Sequence, residues 1–526
     1  MKNKFIYLTV LAAMFAGCEP EFENEVSNAS YSAGEADFTT YVAIGNSLTA
    51  GFMDGTMSRV GQGYSFPNLL AQQFAVVGGG AFTQPSFEDD VNNLGGLLFM
   101  GQPIANTRLI IDASAGGPEN LAGVPTIEVT NGQATAYNNM GVPLAKSFHL
   151  LAAGYGNPQG VPLGQANPYF ARTATSPTAT VLGDAMMKNP TFFTNWIGSN
   201  DVLSFATSGG TGISQEGNMD PTTYGGNDIT DSNVFAGVYQ QITNTLTSNG
   251  AKGVVATIPN VTSIPYFTTV PYNPLTALAI GGGNEQVGVA TIQQLNQQLY
   301  GPLKQILTAL GEGGRINLLS ETEANPLLIK DETLTDLSVQ ITTVAAGIPE
   351  LAPLAPFLGQ TYGQARQSTA SDLVLLTTRS AIGAAPGQGI PAPFDKFAIT
   401  YPLQDQHILI PAEITMANDA TASFNAIIKA IAADKGLAVA DMNAILNQLI
   451  SGLRTEDGQI YTADYFSSAR LNTSLFSLDG VHPNARGYAV VANEIIKVIN
   501  AHYHANLPLV SAGNFPGSTV LPSNGN

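Results

Sequence analysis

The sequence predicts an α/β fold: a parallel β-sheet with helices on both faces, elaborated by long insertions. Three observations predict it. Short apolar runs of strand length stand at 41–44, 196–197, 253–258 and 437–441. Amphipathic stripes at helical spacing lie between and after them, Val234, Val238, Ile242 and Leu246 marking one and Phe424, Ile427, Ile428 and Ile431 another. Strands that alternate with helices form parallel sheets, and no repeat of solenoid period competes with that reading. A chain of 526 residues could hold several domains or one large α/β domain.

From the N-terminus, Lys2 and Lys4 precede an apolar run over residues 5–16, the length of a signal-peptide core and too short to span a bilayer. The run ends in Phe15-Ala16-Gly17-Cys18, and Cys18 is the only cysteine, so no intramolecular disulfide can form. These four residues resemble the lipobox of bacterial lipoproteins, with Phe15 where Leu is usual. The resemblance implies a signal peptide over 1–17, a lipid on the Cys18 thiol and a chain anchored in the cell envelope at the outer membrane. A plain secretory signal with an incidental cysteine is the alternative. Residues 18–36 open with an acidic run and continue in Ser, Asn, Ala and Gly; with too little apolar surface to fold, they read as a tether. The acidic run also resembles export signals that carry some lipoproteins of Gram-negative bacteria to the outer leaflet.

A folded domain is expected over 37–510, with a large insertion at about 268–402 and a tail over 511–526. Its first strand, Tyr41-Val42-Ala43-Ile44, runs directly into Gly45-Asn46-Ser47, so Ser47 stands where open parallel sheets expose their chemistry. A last helix is expected over roughly 485–500, started by Pro483 and carrying Val490, Val491, Ile495 and Ile499. In the insertion, helical patterns near 292–310 precede an apolar segment, 344–358, that Pro349, Pro353 and Pro356 keep from being one helix. That segment could form a lid or acyl-binding wall through Leu351, Leu354 and Phe357, giving a preference for medium or long acyl esters, or could simply pack the insertion; packing is the expectation.

Three polar clusters punctuate this pattern: Gly45-Asn46-Ser47-Leu48, Gly198-Ser199-Asn200-Asp201 and Asp479-Gly480-Val481-His482-Pro483. Each alone has the composition of a turn. A serine hydroxyl becomes a good nucleophile only beside a base, and the base needs a group to orient it. Of the five histidines only His482 has an Asp three residues earlier, Asp479.

With Asn138-Asn139-Met140-Gly141-Val142-Pro143 as a further block, the chain resembles the SGNH (GDSL-like) hydrolase superfamily over about residues 38–505. The resemblance implies a flavodoxin-like three-layer αβα sandwich, Ser47 as nucleophile, His482 as base and Asp479 as its orienting acid. It also implies an oxyanion hole of the Ser47 and Gly141 N–H groups and the Asn200 amide, an esterase or lipase activity on small-molecule or lipid esters, and no cofactor. Asn46 stands where the family commonly has Asp. A carbohydrate O-deacetylase and a catalytically quiet, ligand-binding surface lipoprotein are the competing readings. Asp201 reads equally as a turn cap and is left outside the triad, and Trp196 reads as core rather than as a substrate platform.

Charged residues make up only 11% of the chain against roughly a quarter in an average domain, which suits an extracytoplasmic protein. The net charge of −19, with no cluster of Lys and Arg to track phosphates, excludes nucleic acid as the expected partner. Asp220, Asn227, Asp228 and Asp231 could hold calcium, but their spacing fits no EF-hand and loop turns explain them better; no metal is expected.

Overall fold

The computed structural model describes residues 30–521 except 113–116, 388, 457, 468–469 and 471–472. The expected signal segment 1–17, the lipidation at Cys18 and most of the tether lie outside the described residues.

Five parallel strands form the central sheet: β1 (Tyr41–Gly45), β2 (Asn139–Gly141), β3 (Phe192–Trp196), β4 (Lys252–Ala256) and β5 (Ala438–Ala440). Their spatial order is β5-β4-β3-β1-β2, every neighbouring pair parallel. Every residue of β1 and β3 is buried, as a parallel sheet covered on both faces requires. The order reverses between β1 and β3, the switch point outside whose carboxyl ends a doubly wound sheet leaves its crevice.

The main helices are α1 (Ser47–Ala50), α2 (Phe66–Ala75), α3 (Asn200–Thr207), α4 (Ser232–Leu246), α5 (Glu285–Leu295), α6 (Gly301–Ala309), α7 (Ser338–Ala346), α8 (Ala355–Tyr362), α9 (Pro411–Lys435), α10 (Met442–Ser451) and α11 (Ala485–His502). Helices α2 and α11 pack together in one layer, while α3 and α4 pack on α9 in the other. The expected stripes make these contacts: Ile242 and Leu246 of α4 and Phe424 and Ile428 of α9 are fully buried, and Phe235 stacks on Phe424 at 4.3 Å. Asp231 starts α4 by accepting from the N–H groups of Asn233 and Val234. The last helix starts from Asn484, which caps the Gly487 N–H; Pro483 lies just outside it.

The insertion builds a core of its own around Tyr300, Leu303, Ile341, Leu358 and Tyr362. Helix α7 stops before Pro349, and α8 takes Pro356 into its first turn, where the missing N–H costs nothing. Besides β2, which none of the expected strand runs marked, and β3, which spans Phe192–Trp196 rather than 196–197, two domain boundaries differ from the sequence expectation. Ser32 pairs with Asn506 and the Glu35 N–H donates to the Tyr503 carbonyl at 2.8 Å, so the end of the expected tether is part of the domain. Val520–Leu521 pairs with Ile111 and Asp112, and Phe515 meets the Tyr64 ring edge-on, so 511–521 is docked and not a tail. Among the described residues no helix is long and apolar enough to cross a membrane.

Candidate active site

The nucleophile turn is set by close packing. β1 delivers Gly45, where a Cβ would meet Thr49 Oγ1 at 2.2 Å and the Trp196 carbonyl at 2.6 Å; any other residue would push α1 off the strand end. Asn46 caps α1, its Oδ1 accepting from the Leu48 N–H at 3.1 Å, which fixes Ser47 at the first helical position. The Asn46 Nδ2 is buried without a partner among the described residues.

The structure brings the three expected triad residues together across 435 positions of sequence. His482 Nε2 lies 2.8 Å from Ser47 Oγ, and His482 Nδ1 lies 2.9 Å from Asp479 Oδ2. Asp479 Oδ1 accepts from the N–H groups of Val481 and His482 and from Ser477 Oγ, and Oδ2 also accepts from the Gly55 N–H. Burial pushes the Asp479 carboxyl toward its neutral form, but the His482 imidazole and these donors outweigh it and hold the carboxyl below its ordinary value. Phe52 rests against the imidazole with ring centres 4.6 Å apart.

Asp54 is a participant that sequence reasoning missed. It takes φ +54, and its loop and the 477–479 loop grip each other: the Asp54 N–H donates to Ser477 Oγ, and Asp54 Oδ1 accepts from the Leu478 N–H, both at 3.0 Å. Burial, with the charge of Asp479 adding to it, pushes the Asp54 carboxyl up to about 6. No motif marks this position; the partners are more than 420 residues away in sequence.

The expected oxyanion donors divide. The Ser47 N–H makes no hydrogen bond among the described residues. Asn200, first residue of α3, spends one Nδ2 hydrogen on the Ala145 carbonyl at 3.0 Å and has a second to give. Gly141 does not fit its expected role: its N–H donates to Asn139 Oδ1 at 3.0 Å, and a Cβ there would meet the Ala50 nitrogen at 2.3 Å. Its place is to let α1 lie against β2. In the loop that follows, Leu144 holds φ +67, and its N–H has no partner among the described residues.

Ser47, Asn200 and His482 line a pocket of about 110 Å³ that opens to solvent. Apolar side chains line it, chiefly from α10 and α11, and no described residue of 268–402 reaches it. Leu351, Leu354 and Phe357 rest instead on the insertion's own core, so the acyl-wall alternative for them is corrected. What touches the site from that side is a buttress: Tyr266, just before the insertion, donates its N–H to the Gly480 carbonyl at 2.9 Å. Trp196 is buried, donates from Nε1 to the Thr257 carbonyl at 3.2 Å, and shows one edge to the pocket.

The remaining candidates are structural. Asp201, fully buried, accepts from both the N–H and the hydroxyl of Ser147, and burial holds its carboxyl above its ordinary value. In the loop weighed for calcium, Asp228 accepts from Ile213 and Gly225 N–H and from Gln215, Asp231 from Gly217 and its helix start, and Asp220 from Thr222. The Lys146 ammonium donates to the Asp228 carbonyl at 2.6 Å. His149, stacked on Tyr155, is pushed down to about 4 by burial and by Lys146, which suits a neutral acceptor of the Lys146 N–H.

A doubly wound sheet with a Ser-His-Asp relay at the carboxyl ends of its strands defines the class of arrangement. No protein-family model matches the chain, and neither a curated protein nor a solved structure matches it.

Proposed function

We propose that the chain is a serine hydrolase of the SGNH type that cleaves carboxylic esters in the cell envelope. The observation that carries this reading is the Ser47–His482–Asp479 relay, at 2.8 and 2.9 Å, on a strand-to-helix turn beside an open pocket. The strand order and the positions of Ser47 and Asn200 at adjacent strand ends support the SGNH form of the fold.

In the first half-reaction Ser47 Oγ attacks the ester carbonyl while His482 Nε2 takes its proton; Asp479 holds the Nδ1–H and stabilises the imidazolium. The oxyanion meets the Ser47 N–H and Asn200 Nδ2. His482 returns the proton to the leaving alcohol, and water then repeats the sequence on the acyl-serine. None of these steps calls for a cofactor. The substrate is a small-molecule or lipid ester, and residues 15–18 support anchoring through Cys18 at the outer membrane.

A fluorophosphonate tests the reading: an adduct on Ser47 by mass spectrometry, absent from Ser47→Ala and slow to form in His482→Ala, is the expected result. A folded wild-type protein that neither labels nor hydrolyses any ester of a panel would instead fit the quiet ligand-binding scaffold.

A further inference from the structure

The pocket beside Ser47 has two chemically distinct ends. At its head are the relay, the Ser47 N–H and the second Asn200 Nδ2 hydrogen, neither of which has a partner among the described residues. Beyond the head the wall turns apolar. Met442, Ile445, Leu446 and Leu449 of α10 line it at i, i+3, i+4 and i+7, a single helical face. At 1.5 Å per residue that face runs about 10 Å.

The wall is firmly seated. Asp441 caps α10 at the Ala444 N–H and accepts from Thr257 Oγ1, while Asn443 Nδ2 donates to the Ile258 carbonyl. The pocket is therefore already formed before a ligand arrives.

We infer that this α10 face is the acyl-chain site, and that the ester preferred is one of a medium or long unbranched fatty acid. The inference rests on the ester-hydrolase reading above. An extended chain with ~1.5 Å bonds advances roughly 1.3 Å per carbon, so the face accommodates about eight methylenes. The acyl arm is assigned to it because that arm stays on Ser47 between the oxyanion donors, whereas the alcohol departs past His482.

The test uses two ester series on the purified full-length protein in detergent: one alcohol with acyl groups from acetyl to dodecanoyl, and acetates of alcohols of the same lengths. Full burial contributes about fourfold per methylene (0.8 kcal/mol). The expected result is a rise in kcat/KM of up to that factor per carbon along the acyl series, levelling near octanoyl to decanoyl, with little change along the alcohol series. Leu449→Trp and Val491→Phe, which narrow the pocket from different helices, should each lower the octanoyl-to-acetyl ratio at least tenfold. Fluorophosphonate labelling of Ser47 in each variant verifies its fold. A rise along the alcohol series alone, flat dependence in both, or labelled variants with an unchanged ratio would overturn the inference while leaving the hydrolase reading standing. Absence of labelling and of all ester hydrolysis in the wild type would instead overturn both.

Discussion

Two residues at the site act in opposite directions with pH. The Asp479 carboxyl is held below its ordinary value, so its contribution to stability is present above the unfolded value near 4 and is lost as pH falls through the lower folded value. Asp54 has the reverse sign: with its folded value raised to about 6, the native state holds a proton that the unfolded chain has released, and stability falls as pH rises from about 4 to 6. Asp54→Asn keeps an oxygen for the Leu478 N–H and removes the buried charge. We expect the variant to gain up to about 3 kcal/mol over wild type at pH 7.5 and much less near pH 4.5, the distance from the ordinary value near 4 to about 6 setting the ceiling. Denaturant titrations at both pH values check this; an equal gain at both would mean the Asp54 charge is not what costs stability. For the relay itself, Ser47→Ala is expected to lower esterase kcat by roughly 10⁶-fold with the melting temperature nearly unchanged, and Asn200→Ala by about 10²–10³-fold with KM little affected.

The short helix α1 depends on what lies behind it. Replacing Gly141 by Ala forces a Cβ into the Ala50 nitrogen, and overpacking of this kind costs about 1–3 kcal/mol. Gly141→Ala should therefore lower the melting temperature and displace Ser47, so that activity and stability fall together; an unchanged melting temperature would mean that the Cβ is accommodated and that packing against Ala50 is not what requires glycine. The motif around Gly141 was legible in the sequence, but its role was not. Which N–H faces an oxyanion depends on peptide orientation, and here the Asn139 side chain claims the Gly141 amide. The stripe on α10 was equally unmarked, because Met442, Ile445, Leu446 and Leu449 carry the same pattern as any core-facing helix.

Over the whole molecule, site and tether occupy opposite ends of the sheet. Ser47, Asn200, Pro259 and Met442 follow the carboxyl ends of β1, β3, β4 and β5. Residues 32–36 bind at the amino-terminal end of the strands, where Lys252 opens β4 and its ammonium donates to the Glu35 carbonyl at 2.7 Å. Between them α11 runs 18 residues, about 27 Å. A protein lacking residues 1–29 should thus keep wild-type kcat/KM on short soluble esters, measured side by side with the full chain in detergent. Cutting to residue 37 removes the Glu35 contacts with Tyr503 and Lys252 and should lower the melting temperature without changing KM.

The sequence by itself determined the strands β1, β4 and β5, the helical stripes, the strand-to-helix position of Ser47 and the pairing of His482 with Asp479, because each is local and is written in periodicity or in a spacing of a few residues. Only the tertiary structure decided what meets across hundreds of residues. It set Asp54 behind Asp479, gave Gly141 to packing, bound 511–521 to the domain, and made the pocket wall from α10 while the insertion's apolar segment closed on itself. Hydrophobic burial is nondirectional, so an apolar stretch states that it will be covered but not by what; the partner is fixed only when the sheet order brings two faces together.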